Sequence, residues 1–109
     1  MGKLKFITVE SLLEMVANND DFKLVEVLSD DSFKNGHIPG AINLPVDKLD
    51  ESAKSHLKKS DTIVVYCASY SCHASTNAAQ ALLEMGYKNV LDFKGGKKLW
   101  TDLGLEFEK

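Results

Sequence analysis

An α/β fold is predicted for this chain: a three-layer domain with a mostly parallel central sheet of about five strands and helices on both faces. Strand-like runs alternate with short helical patterns from one end of the sequence to the other. The runs at residues 23–28 and 62–66 carry apolar side chains on both faces, as strands covered on both sides do. At 109 residues the chain has room for one core and not for two, so residues 1–109 are expected to form a single domain.

Phe6 and Ile7 open the order of elements as a short edge strand. Thr8 is placed to cap a helix over residues 9–18, with Leu12, Leu13 and Val16 as its apolar face. The polar run from Asn18 to Asp21 ends that helix, and the strand at 23–28 follows. Ser29 to Ser32 open a short helical turn around Phe33. Gly36-His37-Ile38-Pro39-Gly40 breaks the pattern and leads into a strand at 41–44, which Pro45 closes. A weak helix covers about residues 47–57. The run at 62–66 is the most apolar of the strands and so belongs at the centre of the sheet. A helix over about residues 75–85 stops at Gly86, placed as the residue just past its end. Residues 89–93 make another strand, and Gly95-Gly96 permits a tight turn into a last helix bearing Leu99 and Trp100.

Composition excludes several classes of function. The chain is 44% hydrophobic and 27% charged, as ordinary globular domains are. A net charge of -3, with no lysine cluster interleaved with aromatics, gives no footprint for nucleic acid. No apolar run approaches the roughly 20 residues of a membrane helix. The start, Met1-Gly2-Lys3-Leu4-Lys5, lacks the apolar stretch of a signal peptide, and without Ser or Thr at position 6 Gly2 is a poor acylation site. A cytoplasmic protein is expected. The two cysteines make no disulfide scaffold. No zinc site is expected either: His73 adjoins Cys72, but His37 and His56 stand apart without ligand spacing. No cofactor is called for. All 13 cationic residues are lysine, and the chain contains no arginine.

The chemistry concentrates where the central strand ends. Val64-Val65-Tyr66 runs into Cys67, followed by Ala68, Ser69, Tyr70, Ser71, Cys72 and His73 and then the helical pattern. Ligands of parallel α/β sheets sit beyond the carboxyl ends of the strands. Backbone N–H groups of the loop and the positive end of the helix would converge there, lowering a thiol pKa and favouring a thiolate nucleophile. Cys67 is therefore expected to be that nucleophile. Ala68, Ser69, Tyr70, Ser71 and His73 are expected to line its pocket, with Tyr70 as one wall.

With these residues in view, the chain resembles the single-domain rhodaneses, a sulfurtransferase family, from about Ile7 to Glu106. Gly36-His37-Ile38-Pro39-Gly40-Ala41-Ile42-Asn43-Leu44-Pro45 is similar to the family's signature almost letter for letter. Val64 to Cys67 resembles its strand-to-cysteine junction. Ala78-Ala79, Leu82, Gly86-Tyr87, Asn89-Val90, Gly95-Gly96, Trp100 and Gly104 match the blocks that follow. The resemblance implies that Cys67 takes sulfane sulfur from thiosulfate, polysulfide or a protein persulfide, becomes a persulfide, and passes the sulfur to a thiophilic acceptor. Loop N–H groups would stabilise both anions without a metal.

Departures from the family pattern leave other readings open. The loop is about two residues longer than usual, the position of the customary loop arginine falls near Cys72, His73 or Ala74, and Glu26-Val27-Leu28 stands where the family often has Asp-x-Arg. A lengthened loop is also a feature of the related phosphatases and arsenate reductases, but those clamp an oxyanion with arginine. A thiol-redox enzyme and a non-catalytic rhodanese-like binding module remain as alternatives. Cys72 has three readings: a packed small side chain, a second thiol that resolves the persulfide for a thioredoxin-like reductant, or the primary nucleophile. His73 either assists a neighbouring thiol or is an exposed loop residue. His37 is expected to hold the fold through a hydrogen bond, Trp100 to sit in the core, and buried Glu26 to need a partner that the sequence does not name. Lys94, Lys97 and Lys98 are either solvated or an electropositive rim.

Overall fold

The computed structural model describes residues 4–109; the readings at Met1, Gly2 and Lys3 lie outside the described residues. Among the described residues, five strands form one sheet: β1 (Lys5–Phe6), β2 (Lys23–Glu26), β3 (Ile42–Asn43), β4 (Thr62–Tyr66) and β5 (Asn89–Phe93). Their order is β1-β5-β4-β2-β3, and every pairing is parallel, so the apolar run at β4 is indeed central. Five helices connect and cover them: α1 (Val9–Ala17), α2 (Asp30–Asn35), α3 (Leu49–His56), α4 (Ala74–Glu84) and α5 (Gly96–Asp102). A 3-10 turn at Val46–Lys48 leads into α3.

Alternation along β4 builds the two halves of the core. Ile63 and Val65 face one side, against Leu49, Ala53 and Leu57 of α3 and its C-cap and Ala78, Ala79, Leu82 and Leu83 of α4. Val64 and Tyr66 face the other, with Val9 and Leu12 of α1 and Trp100 of α5. A fully buried Val, Leu or Ile contributes roughly 1.5–3 kcal/mol relative to an exposed one, so this double-sided strand anchors the domain. Thr8 caps α1 by accepting from the Ser11 N–H at 3.1 Å, as expected. One expectation for α1 fails. Val16 is 50% exposed, because it lies in the last turn, at the rim of a shallow cleft with Pro39 and Gly40; Val9 and Leu12 carry the burial instead.

Glu26, fully buried at the end of β2, finds its partner on α5. Lys97 Nζ lies 3.0 Å from Glu26 Oε1 and also donates to the Ser32 carbonyl at 2.8 Å. The Tyr66 hydroxyl donates to the same carboxylate oxygen at 2.9 Å and accepts from the Ile38 N–H at 3.1 Å. Burial, with the Glu26 charge beside it, pushes the Tyr66 phenol well above its ordinary pKa, so it stays a donor. This network joins β2, β4, α2 and α5 where the family's Asp-x-Arg pattern is missing. His37 has the structural role expected of it: its ring stacks on Phe33 at 3.8 Å between centroids, and Nδ1 donates to the Phe33 carbonyl at 3.0 Å. Trp100 is core, its indole N–H donating to the Glu106 carbonyl at 2.9 Å.

Removing one member of a buried ion pair strands the other charge, at a cost of about 3–5 kcal/mol. Lys97→Met should therefore lose about 3 kcal/mol in urea unfolding. The Glu26→Gln/Lys97→Met double variant should lose less than the sum of the two single changes. Additive losses would show that the pair does not act as a unit.

Candidate active site

The loop between β4 and α4 spans residues 67–73, the length expected from the sequence. Its first residue is held from below. The Cys67 and Ala68 carbonyls accept the N–H groups of Lys97 and Lys98 at 3.0 and 2.8 Å, so the first turn of α5 clasps the end of β4. That clasp depends on Gly96, at φ +59°, where any side-chain carbon would collide with the Cys67 carbonyl oxygen. Further on, the Cys72 N–H donates to the Ser69 carbonyl at 3.0 Å, and the turn folds the chain back over Cys67.

Both cysteines are reduced, and their settings differ. Cys67 is 1% exposed, on the α4 side of the sheet. Its thiol donates toward the Cys72 carbonyl at 3.5 Å and the Ser75 hydroxyl at 3.4 Å. Cys72 is half-buried, and its carbonyl also accepts from Lys94 Nζ at 2.8 Å.

These settings correct the expectation of a lowered Cys67 pKa. Burial pushes the Cys67 thiol up and the neighbouring Cys72 thiol adds to that; the Ser75 hydroxyl and N–H oppose the rise without cancelling it. For Cys72, burial also opposes ionisation. The Cys67 thiol, the N–H groups of Ala68 and Ala74 and the charge of Lys94 together outweigh it, and Cys72 falls below the ordinary thiol value. In this closed loop Cys72 is the more acidic of the two thiols.

The predicted lining residues do not share one pocket. Ala68 lines a cleft of about 810 Å³ with Ser32, Gly36, Lys97, Thr101 and Phe107. Tyr70, 63% exposed, lines a separate apolar groove of about 700 Å³ with Phe6, Leu99, Leu103 and Lys94. Ser69 and Ser71 hydrogen-bond to each other at 3.0 Å. His73 is exposed at the N-cap of α4, and its side chain does not cap the helix. The three lysines near the Gly-Gly turn form no free rim. Lys94 holds Cys72, Lys97 holds Glu26, and Lys98 pairs with Asp102 at 2.9 Å. Sequence reasoning missed Ser75 as a partner of Cys67 and Lys94 as a partner of Cys72. Placement of Ser75 in the first turn of the helix after the loop was the one available signal.

Comparison with known proteins places the fold in a family. A family model described as "Rhodanese-like domain" matches residues 8–103. A "Thiosulfate sulfurtransferase GlpE" of Shewanella oneidensis is 33% identical over 105 residues, covering 94% of this chain and 97% of that protein. A "Putative thiosulfate sulfurtransferase, mitochondrial" of Schizosaccharomyces pombe is 32% identical, covering 89% of this chain and 75% of its own length. Among solved structures, the BH2092 protein of Bacillus halodurans superposes with a TM-score of 0.88 at 27% identity, over 95% of this chain and 76% of that one. The rhodanese-like domain of the Anabaena Alr3790 protein gives 0.85 at 28% identity, over 94% and 77%. The chain belongs to the rhodanese family.

The acidity order has a direct readout. A limiting dose of iodoacetamide at neutral pH should label Cys72 faster than Cys67, on the order of tenfold, by peptide mapping. Labelling of Cys72 should rise with pH below the ordinary thiol range and that of Cys67 above it. A reversed order would place the thiolate on Cys67.

Proposed function

We propose that this protein is a sulfurtransferase that carries sulfane sulfur as a persulfide on Cys67. The observation that carries this reading is the position of Cys67, the first residue after the central parallel strand, in a chain of the rhodanese family. Relatives named thiosulfate sulfurtransferase support the reaction class, as does one from Bacillus subtilis named "Putative sulfur carrier protein YrkF", of which this chain covers half.

In the reaction, the Cys67 sulfur attacks the outer sulfane sulfur of the donor. The donor S–S bond breaks and its remainder leaves as sulfite from thiosulfate or a shortened chain from polysulfide. A nucleophilic acceptor then takes the outer sulfur from the Cys67–S–SH group and restores the thiol. Because Cys67 is buried beneath the Cys72 carbonyl, the loop opens to admit the donor. A cytoplasmic setting, where glutathione and thioredoxin keep thiols reduced, suits two unpaired cysteines.

Polysulfide or a protein persulfide fits this site better than thiosulfate. Thiosulfate is a compact dianion, and the nearby cations Lys94 and Lys97 are engaged with a carbonyl and a carboxylate. No arginine is available as a clamp. Thiosulfate:cyanide activity is expected with kcat/KM below about 10⁴ M⁻¹s⁻¹, and a gain with polysulfide. Higher efficiency with thiosulfate and no gain with polysulfide would reject this preference. Cys67→Ser should abolish transfer with either donor; transfer that survives the substitution would move the sulfur to another residue.

A further inference from the structure

We propose that Cys72 is a resolving thiol: it attacks Cys67 in the persulfide, expels the carried sulfur as hydrosulfide, and closes a Cys67–Cys72 disulfide that a cellular dithiol reopens. The inference rests on the persulfide at Cys67 proposed above and adds a sulfide-releasing branch to it.

The geometry is specific. The turn closed by the Cys72 N–H and the Ser69 carbonyl returns the chain to its own start within five positions. It brings the Cys72 carbonyl to 3.5 Å from Cys67 Sγ, with the two thiols close enough that each alters the other's acidity. A disulfide needs Cα atoms about 4.4–6.8 Å apart, far less than five extended residues span, so the turn at Ser69–Cys72 is what makes closure feasible. The nucleophile is also prepared. Lys94 is fixed on the Cys72 carbonyl at 2.8 Å, and the N–H groups of Ala68 and Ala74 face the Cys72 sulfur.

The step balances without an outside oxidant. Cys67–S–SH reacts with the Cys72 thiolate to give Cys67–S–S–Cys72 and HS⁻. A bond forms between the two cysteine sulfurs while the bond from Cys67 to the outer sulfur breaks. The two thiols are oxidised by two electrons and the sulfane sulfur is reduced to sulfide. A dithiol then reduces the disulfide by exchange and leaves as its own disulfide.

The test treats the full chain with inorganic polysulfide without oxygen, removes the excess, and reads intact mass and free thiols. The wild-type protein should show a loss of about 2 Da and no free thiol, whereas Cys72→Ser should hold about +32 Da on Cys67. Cys72→Ala, with circular dichroism on both variants, guards against a folding defect. A wild-type protein that keeps about +32 Da, as Cys72→Ser does, would overturn the resolving role and leave the sulfurtransferase reading standing. Folded Cys72 variants that take up no sulfur would overturn the persulfide on Cys67 itself. Sulfur found on Cys72 in Cys67→Ser, with none on Cys67 in the Cys72 variants, would reverse the two roles.

Discussion

Lys97 is the residue on which the geometry of the site depends. Its ammonium neutralises the fully buried Glu26, and its backbone N–H donates to the carbonyl of Cys67 at 3.0 Å. A buried carboxylate without a counter-charge costs several kcal/mol, so this side chain has little freedom to leave. Because ammonium and N–H belong to one residue, the charge requirement of the core fixes where the first turn of α5 lies. That turn in turn fixes the carbonyl at the start of the cysteine loop. Gly96 makes the approach possible by having no side chain.

With its start held in this way, the loop adapts through its later residues. They form the turn closed by Ser69 and Cys72 rather than a wider cradle. A cradle would aim several N–H groups at Cys67. The turn instead presents an acceptor to Cys67, the Cys72 carbonyl, and leaves the N–H groups of Ala68 and Ala74 to Cys72. Acidity follows donors, so the more buried cysteine keeps its proton and the outer one loses it first.

Much of this was legible beforehand. Strand-like runs alternating with helical patterns located the five strands, the most apolar run placed β4 at the centre, and the strand-to-helix junction located the loop at residues 67–73. The need of Glu26 for a partner was also legible from its place in an apolar strand. Its partner was not, since Lys97 is one of 13 lysines and only the folded path of α5 brings it to β2. The acidity order was illegible for a related reason. A strand end meeting a helix start says that N–H groups gather near a cysteine, not which peptide in a seven-residue loop turns its oxygen inward. Val16 misled because helical period alone does not show where a helix runs past the surface that covers it.

The missing arginine and the second cysteine bear on one physical problem. A persulfide anion beside a fixed guanidinium is stabilised by permanent charge, whatever the loop does. Here the ammonium of Lys94, which acts on Cys72, is directed at a backbone carbonyl. It therefore acts on the loop's shape and on Cys72 more than on the outer sulfur of a persulfide. A weakly stabilised persulfide is a reactive one, open to attack by whichever thiolate is nearest. In this fold the neighbouring thiol is that of Cys72, five residues away in the same loop, its backbone carbonyl held by the same lysine. On the proposed reaction, the electrostatics that disfavour a compact dianion would also favour prompt discharge of a carried sulfur.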